Sequence, residues 1–211
     1  MPEHIALLGD SIFDNLSYTQ GLPDVITHLR RLLPEGFVAS LVAVDGSTTG
    51  DLPVQVSKLP PDVTRAVVSI GGNDALLNTD ILDLPVTSTR EALHVFGERI
   101  ARFEAKYRDA IGRVVARVPA TTICTVYNGN LPDEQSTSAR VTLMMFNDVI
   151  LRVAFQRRLP VIDLRTVCNE PGDYANSIEP SGQGGEKIAQ AIVASLGVGH
   201  AAPSRTCVFA G

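Results

Sequence analysis

Ser11 stands where a nucleophile would. It follows Ile5-Ala6-Leu7-Leu8, an unbroken apolar run of the kind a strand shows when a parallel sheet covers it on both faces. Gly9-Asp10-Ser11 ends that run abruptly. The glycine lets the backbone turn tightly, which leaves a hydroxyl beside a carboxylate at the carboxyl end of the strand, where open α/β sheets bind ligands. An exposed serine hydroxyl there can attack a carbonyl once a base removes its proton. The competing reading is a Ser/Asp cap on the following helix.

A sheet must hold such a serine in place, and the chain supplies the pattern for one. Strand-like segments at Ile5 to Leu8, Phe37 to Val44, Ala66 to Ile70, Thr121 to Tyr127 and Val161 to Leu164 alternate with helical spacing at Pro23 to Leu33, Glu91 to Val118, Arg140 to Arg157 and Gly184 to Leu196. Strands separated by helices of this length imply an α/β protein with a five-stranded parallel sheet and helices on both faces. Polar loops then converge at one edge: Gly9 to Ser11, Asp45 to Asp51, Gly71 to Asp74 and Glu179 to Gly185. The chain reads as a single domain over 1–211, with residues from about 198 to 211 as a flexible tail.

Composition narrows the function. With 211 residues, 45% hydrophobic and 19% charged, the chain suits one sizeable core. A net charge of −5 without a basic block gives no reason to expect nucleic acid, and a small neutral or cationic partner fits better. No apolar run approaches the roughly 20 residues of a membrane span, and Met1-Pro2-Glu3 leads straight into the first strand, so a soluble, cytoplasmic protein is expected. Cys124, Cys168 and Cys207 lack metal spacing and are odd in number, which favours inert thiols over a disulfide framework. Oligomeric state is not legible.

Taken together, Gly-Asp-Ser at 9 to 11, Gly46 after the second strand, Gly-Gly-Asn-Asp at 71 to 74 and Pro180-Ser181 with Gly184-Gly185 before the last helix resemble the blocks of the SGNH (GDSL-type) hydrolases, in the same order and across the whole chain. That resemblance implies a three-layer α/β/α, flavodoxin-like sandwich and a serine esterase or lipase needing no metal or organic cofactor. It makes Ser11 the nucleophile, with an oxyanion hole formed by the Ser11 N–H, Gly46 and the Asn73 side chain. The residue types agree with those roles: an Asn amide is a hydrogen-bond donor, and a glycine lets its N–H approach a substrate closely. Asp10 and Asp74 are expected to hydrogen-bond loop backbone rather than react.

The last block departs from the family pattern. The usual Asp-x-x-His before the proline is Asn176-Ser177-Ile178-Glu179 here, so Glu179 stands in place of histidine and Asn176 in place of aspartate. No other histidine substitutes readily. His4 opens the strand that leads to Ser11, about 23 Å away at 3.3 Å per residue. His28 and His94 lie in helical patterns, and His200 in the tail. Glu179 as general base is chemically consistent, because burial raises a carboxylate's basicity and an asparagine amide can donate to it where a second carboxylate would repel it. A shifted register would instead align Asp173 and Asn176 with the pair.

Two readings follow. One is a hydrolase of short-chain or acetyl esters acting through Ser11 with Glu179 as base. The other is a catalytically weak protein that binds a small acyl or sugar ligand on the same scaffold. Leu76, Leu77, Tyr127, Asn128 and Asn130 are expected around the pocket, with residues 128–140 as a surface loop or lid.

Overall fold

A computed structural model of the chain describes residues 3–197 and Val208. Five strands, β1 (Glu3–Gly9), β2 (Phe37–Leu41), β3 (Arg65–Ser69), β4 (Thr121–Cys124) and β5 (Val161–Ile162), form one sheet in the order β2-β1-β3-β4-β5. All four pairings are parallel, with Leu7 opposite Leu41 on one side and Val67 on the other. This is the flavodoxin-like strand order.

The apolar run in β1 is buried because both faces of the sheet are covered. Ile5 and Leu7 join Val67, Val25, Leu29, Ile188 and Ile192 in one core layer. Ala6 and Leu8 point the other way, into a layer with Val68, Phe103, Tyr107, Ile111, Phe146 and Ile150. The period of two along the strand therefore divides one hydrophobic run between two cores. Helices α1 (Val25–Leu32) and α7 (Gly182–Leu196) cover the first face; α4 (Thr89–Arg117) and α5 (Asp133–Arg157) cover the second. Shorter helices are α2 (Leu52–Ser57), α3 (Gly72–Leu76) and α6 (Leu164–Val167).

Local chemistry sets the ends of these elements. Asp24 caps α1 by accepting from Thr27 N–H at 3.0 Å, Ser88 caps α4 through Glu91 N–H at 3.2 Å, and Ser181 caps α7 through Gly184 N–H at 3.1 Å. Proline stops α1 and α4 soon after Leu32 and Arg117, at Pro34 and Pro119.

Several expected boundaries move. The segment 128–140 is not a loop throughout, since α5 begins at Asp133 rather than Arg140. Pro132 directly precedes it, and Asp133 and Glu134 place negative charge on its first turn, both favourable at a helix start. The second strand stops at Leu41, where the Leu7 carbonyl accepts from both Val42 and Ala43 N–H at 2.9 Å and the ladder bulges. The fourth strand stops at Cys124, and the fifth keeps two residues because Asp163 caps α6. Helices α2 and α3 were not anticipated. Apart from Val208, the segment 198–211, with His200 and Cys207, lies outside the described residues.

Among the described residues no helix is long and apolar enough to cross a membrane, and no group of His, Cys, Asp and Glu side chains has the arrangement of a metal site. Cys124 and Cys168 are buried free thiols, with burial pushing Cys168 up to about 12.

Candidate active site

The chain leaves β1 towards α1 on one face and leaves β3 towards α3 and α4 on the other, so a crevice opens between the carboxyl ends of these adjacent strands. Ser11 sits there. Gly9 has φ +132°, and a Cβ on it would lie 1.8 Å from the Ser69 carbonyl oxygen, so only glycine lets β1 and β3 meet at this point. The buried side chain of Gln55, on α2, accepts from Gly9 N–H and donates to the Gly9 carbonyl, both at 2.8 Å, and also donates to Ser47 Oγ at 3.2 Å. Asp10 Oδ1 then accepts from Ile12 N–H at 3.1 Å and shapes the turn that holds Ser11.

The loops after β2 and β3 are tied together. Asn73 Nδ2 donates to the Ser47 carbonyl at 2.9 Å, and Asp74 accepts from Thr49 N–H at 2.9 Å and Thr49 Oγ1 at 2.7 Å. The first of these bonds uses one of Asn73's two amide hydrogens and orients the other. Asn73 lines the crevice beside Ser11. Gly46, with φ +78°, lies in an exposed turn closed by Ser47 N–H to the Val44 carbonyl at 3.1 Å. Its loop is anchored to Asn73 through Ser47, but Gly46 is not among the lining residues. As expected, Asp10 and Asp74 bond to loop groups.

The segment before α7 brings Glu179 to the same crevice, where it is only 7% exposed and its Oε2 is buried without a hydrogen-bond partner. Five hydrogen bonds to four residues hold the backbone from Ser177 to Pro180. Asn176 Oδ1 accepts from Ile178 and Glu179 N–H, each at 2.9 Å; Tyr127 Oη donates to the Ile178 carbonyl at 2.5 Å; Asn130 N–H donates to the Ser177 carbonyl at 2.9 Å; and Asn15 Nδ2 donates to the Pro180 carbonyl at 3.3 Å. Asn176 is exposed and faces backbone, so it forms the turn rather than donating its amide to the carboxylate as the sequence suggested. Asp173, the alternative partner, is buried against Lys187 Nζ at 2.8 Å and accepts from Asn169 and Glu170 N–H at 3.0 Å, which makes it an anchor of the turn.

Burial raises the Glu179 carboxyl above its ordinary range; the Ser11 hydroxyl pulls it part of the way back, and the Asp45 charge adds to the rise. Ser11 is thus near enough to favour the charged form, while Oε2 stays open. Asp10 is pushed to about 8 by burial, against the Ile12 N–H, with Glu179 and Asp74 adding repulsion. Burial thus favours the protonated form of Asp10, whose negative charge would otherwise oppose that of Glu179.

No histidine in the described residues lines this crevice. His94 is exposed on α4 and lies 3.4 Å from Glu98. His4 stands at the opposite end of β1 from Ser11, with Nε2 2.7 Å from Ser40 Oγ and Nδ1 3.0 Å from Asp62 Oδ2. That set has the composition of a Ser–His–Asp triad, but Ser40 lies within the edge strand β2 and none of the three lines the crevice.

The crevice opens into a cleft of about 820 Å³ between α3, the 79–83 turn, residues 126–131 and the first half of α5. Leu76, Tyr127 and Asn128 line it as expected, whereas Leu77 and Asn130 do not. Gln55 and Asn15 were missed as positioning residues. Asn15 is fully buried and also accepts from Val25 N–H at 3.0 Å, and nothing in the local sequence marks a partner 165 residues away.

The sequence profile of the GDSL-like Lipase/Acylhydrolase family matches residues 7–186. No curated protein sequence matches the chain. Among solved structures, phospholipase A1 from Streptomyces albidoflavus superposes with a TM-score of 0.68 at 15% identity, covering 91% of this chain and 98% of that one. The extracellular lipase from Streptomyces rimosus gives 0.66 at 15%, covering 92% and 99%. A variant of an acetyl xylan esterase from Geobacillus stearothermophilus gives 0.67 at 20%, covering 92% and 94%.

Proposed function

The chain belongs to the GDSL-like lipase/acylhydrolase family, and from that premise we propose that it hydrolyses carboxylic esters through an acyl-enzyme on Ser11, with Glu179 as general base. One observation carries the choice of base: a buried carboxylate whose Oε2 has no partner shares the crevice with the serine hydroxyl, and no described histidine does. A carboxylate raised by burial is a better proton acceptor at neutral pH than an ordinary one, provided it is ionised at the working pH. A protonated Asp10 favours that condition by removing a competing negative charge.

In the first half-reaction Glu179 takes the Ser11 proton as Oγ attacks the ester carbonyl. Charge builds on the carbonyl oxygen, and we assign its stabilisation to the Ser11 N–H and the second amide hydrogen of Asn73, with Gly46, which does not line the crevice, left to shape the loop that ties Ser47 to Asn73. Protonated Glu179 then gives its proton to the leaving alcohol. In the second half-reaction it activates a water that releases the acid and restores the serine. Asn176, Tyr127 and Asn15 hold the Glu179 backbone and do not touch the reacting atoms.

The test is covalent labelling by a fluorophosphonate together with hydrolysis of p-nitrophenyl esters from acetate to octanoate. Labelling at Ser11, and turnover lost in Ser11→Ala, is the expected result. Folded protein that neither labels nor hydrolyses any ester would overturn the assignment in favour of a ligand-binding role for the same cleft.

A further inference from the structure

Two features of the cleft point to the kind of ester it takes. Its walls are apolar at Leu76, Leu82, Leu131 and Leu143, and its charged lining residues are Asp10, Asp80, Asp83, Glu134 and Glu179, with no lysine or arginine among them. The acidic groups divide by place. Asp10 and Glu179 are buried at the reacting end, and Asp80 is neutralised by Arg99 at 2.8 Å. Asp83 and Glu134, one on the 79–83 turn and the other on the first turn of α5, are exposed at the mouth and have no cationic partner among the described residues. At the inner end, Glu179 lines the cleft with its Oε2 buried and unpartnered.

We propose that this cleft selects cationic amphiphilic esters, with an apolar chain along the four leucines and an ammonium-type group between Asp83 and Glu134, and that it disfavours esters carrying an anionic group. The proposal refines the ester-hydrolase reading of the same site and rests on it for the reacting bond. A chain lying on the leucines is taken out of water, so affinity rises with each methylene. Two carboxylates at the mouth attract a cation and repel an anion of the same shape, so the sign of charge separates ligands that the apolar wall treats alike.

The experiment uses ligands without an ester bond, so that it reads the cleft independently of catalysis. Octyltrimethylammonium and octanoate are titrated into the wild-type protein by calorimetry, at low salt and below their micelle concentrations. The ammonium should bind about tenfold more tightly, as two exposed charge pairs allow, and shortening its chain should weaken binding about fourfold per methylene. The pair Asp83→Asn and Glu134→Gln should erase the preference. Glu35→Gln with Glu186→Gln, the same change of net charge outside the cleft, should keep it. Octanoate binding as tightly as the ammonium, binding of neither ligand, a preference that survives the cleft pair, or one lost in the control pair would each overturn the proposal. An unlabelled Ser11 with the charge preference intact would instead remove the hydrolase reading alone.

Discussion

The side-chain amide of Gln55 closes a two-bond ring with the peptide of Gly9, Oε1 accepting from its N–H and Nε2 donating to its carbonyl, each at 2.8 Å. It thereby acts as a strand neighbour at the point where β1 turns away from the sheet and the serine turn begins. Gln55→Leu fills a similar volume but leaves the buried Gly9 N–H unpaired, at about 1–3 kcal/mol, while the Gly9 carbonyl keeps the Val44 N–H at 3.1 Å. The variant should therefore melt about 2–12 °C lower in a scanning calorimeter, and at a temperature where it is still folded its Ser11 should label more slowly, because the turn it presents has lost part of its support.

Gly9 tests the same turn from the backbone side. A Cβ 1.8 Å from the Ser69 carbonyl oxygen, on a residue at φ +132°, cannot be absorbed without separating β1 from β3. Gly9→Ala is expected to lose about 3–5 kcal/mol, read as a shift in the denaturant midpoint, whereas Gly46→Ala, where nothing lies within 4 Å of the added carbon, should lose only what its positive φ costs, about 1 kcal/mol.

Asp10 links the site to pH-dependent stability. Its carboxyl is pushed to about 8 in the folded chain, from 3.8 in the absence of structure. Between those values the folded state holds a proton that the unfolded state has released, so stability is full below about pH 4 and falls as pH rises through 8. Asp10→Asn keeps an oxygen for Ile12 N–H and removes the titration. Melting curves from pH 5 to 9 should show the wild type losing about 4 kcal/mol more than the variant across that range.

The sheet was legible because its strands are defined by local pattern. Ile5 to Leu8 and Ala66 to Ser69 are buried on both faces, and a continuous apolar run records that directly. Ser11 and Asn73 could be placed at the crevice because each follows a glycine turn at the end of such a run, and Glu179 because it stands just before Pro180 and the last helix. The rest depended on contacts no window contains. Gln55 sits in Leu-Pro-Val-Gln-Val-Ser as an ordinary helical residue, and its partner Gly9 is 46 positions away. Asn176 was placed in the correct turn, but spacing does not say which way its amide faces, and its oxygen serves two backbone N–H groups instead of its nitrogen serving Glu179. Helix α3 was hidden because its five residues are too few to display a period.

Asn73 carries one amide hydrogen into the Ser47 carbonyl, and in the proposed mechanism the other meets a substrate oxygen. Asn73→Ala removes both. With ester substrates the loss of an oxyanion donor should lower kcat by about 10²–10³-fold with KM little changed, while the lost Ser47 bond should cost only about 1 kcal/mol in stability. A fall in kcat no larger than that stability change explains would return Asn73 to the role of a loop tie.

Glu179→Gln separates the two explanations for a serine without a histidine. If the carboxylate is the base, kcat/KM for p-nitrophenyl esters should fall by about 10²–10⁴-fold, and fluorophosphonate labelling of Ser11 should slow with it. The acid limb of the wild-type profile should lie above 4.5, since burial raises this carboxyl, with the rate lost as pH falls and Glu179 takes up its proton. In the variant that limb should vanish. Stability is the control, because the amide keeps the shape of the side chain and removes a buried charge, so the melting temperature should hold or rise. An undiminished rate in Glu179→Gln would take the carboxylate out of the mechanism, and peptide mapping would then show whether the labelled hydroxyl is Ser11 at all or Ser40, which has His4 2.7 Å away at the other end of β1.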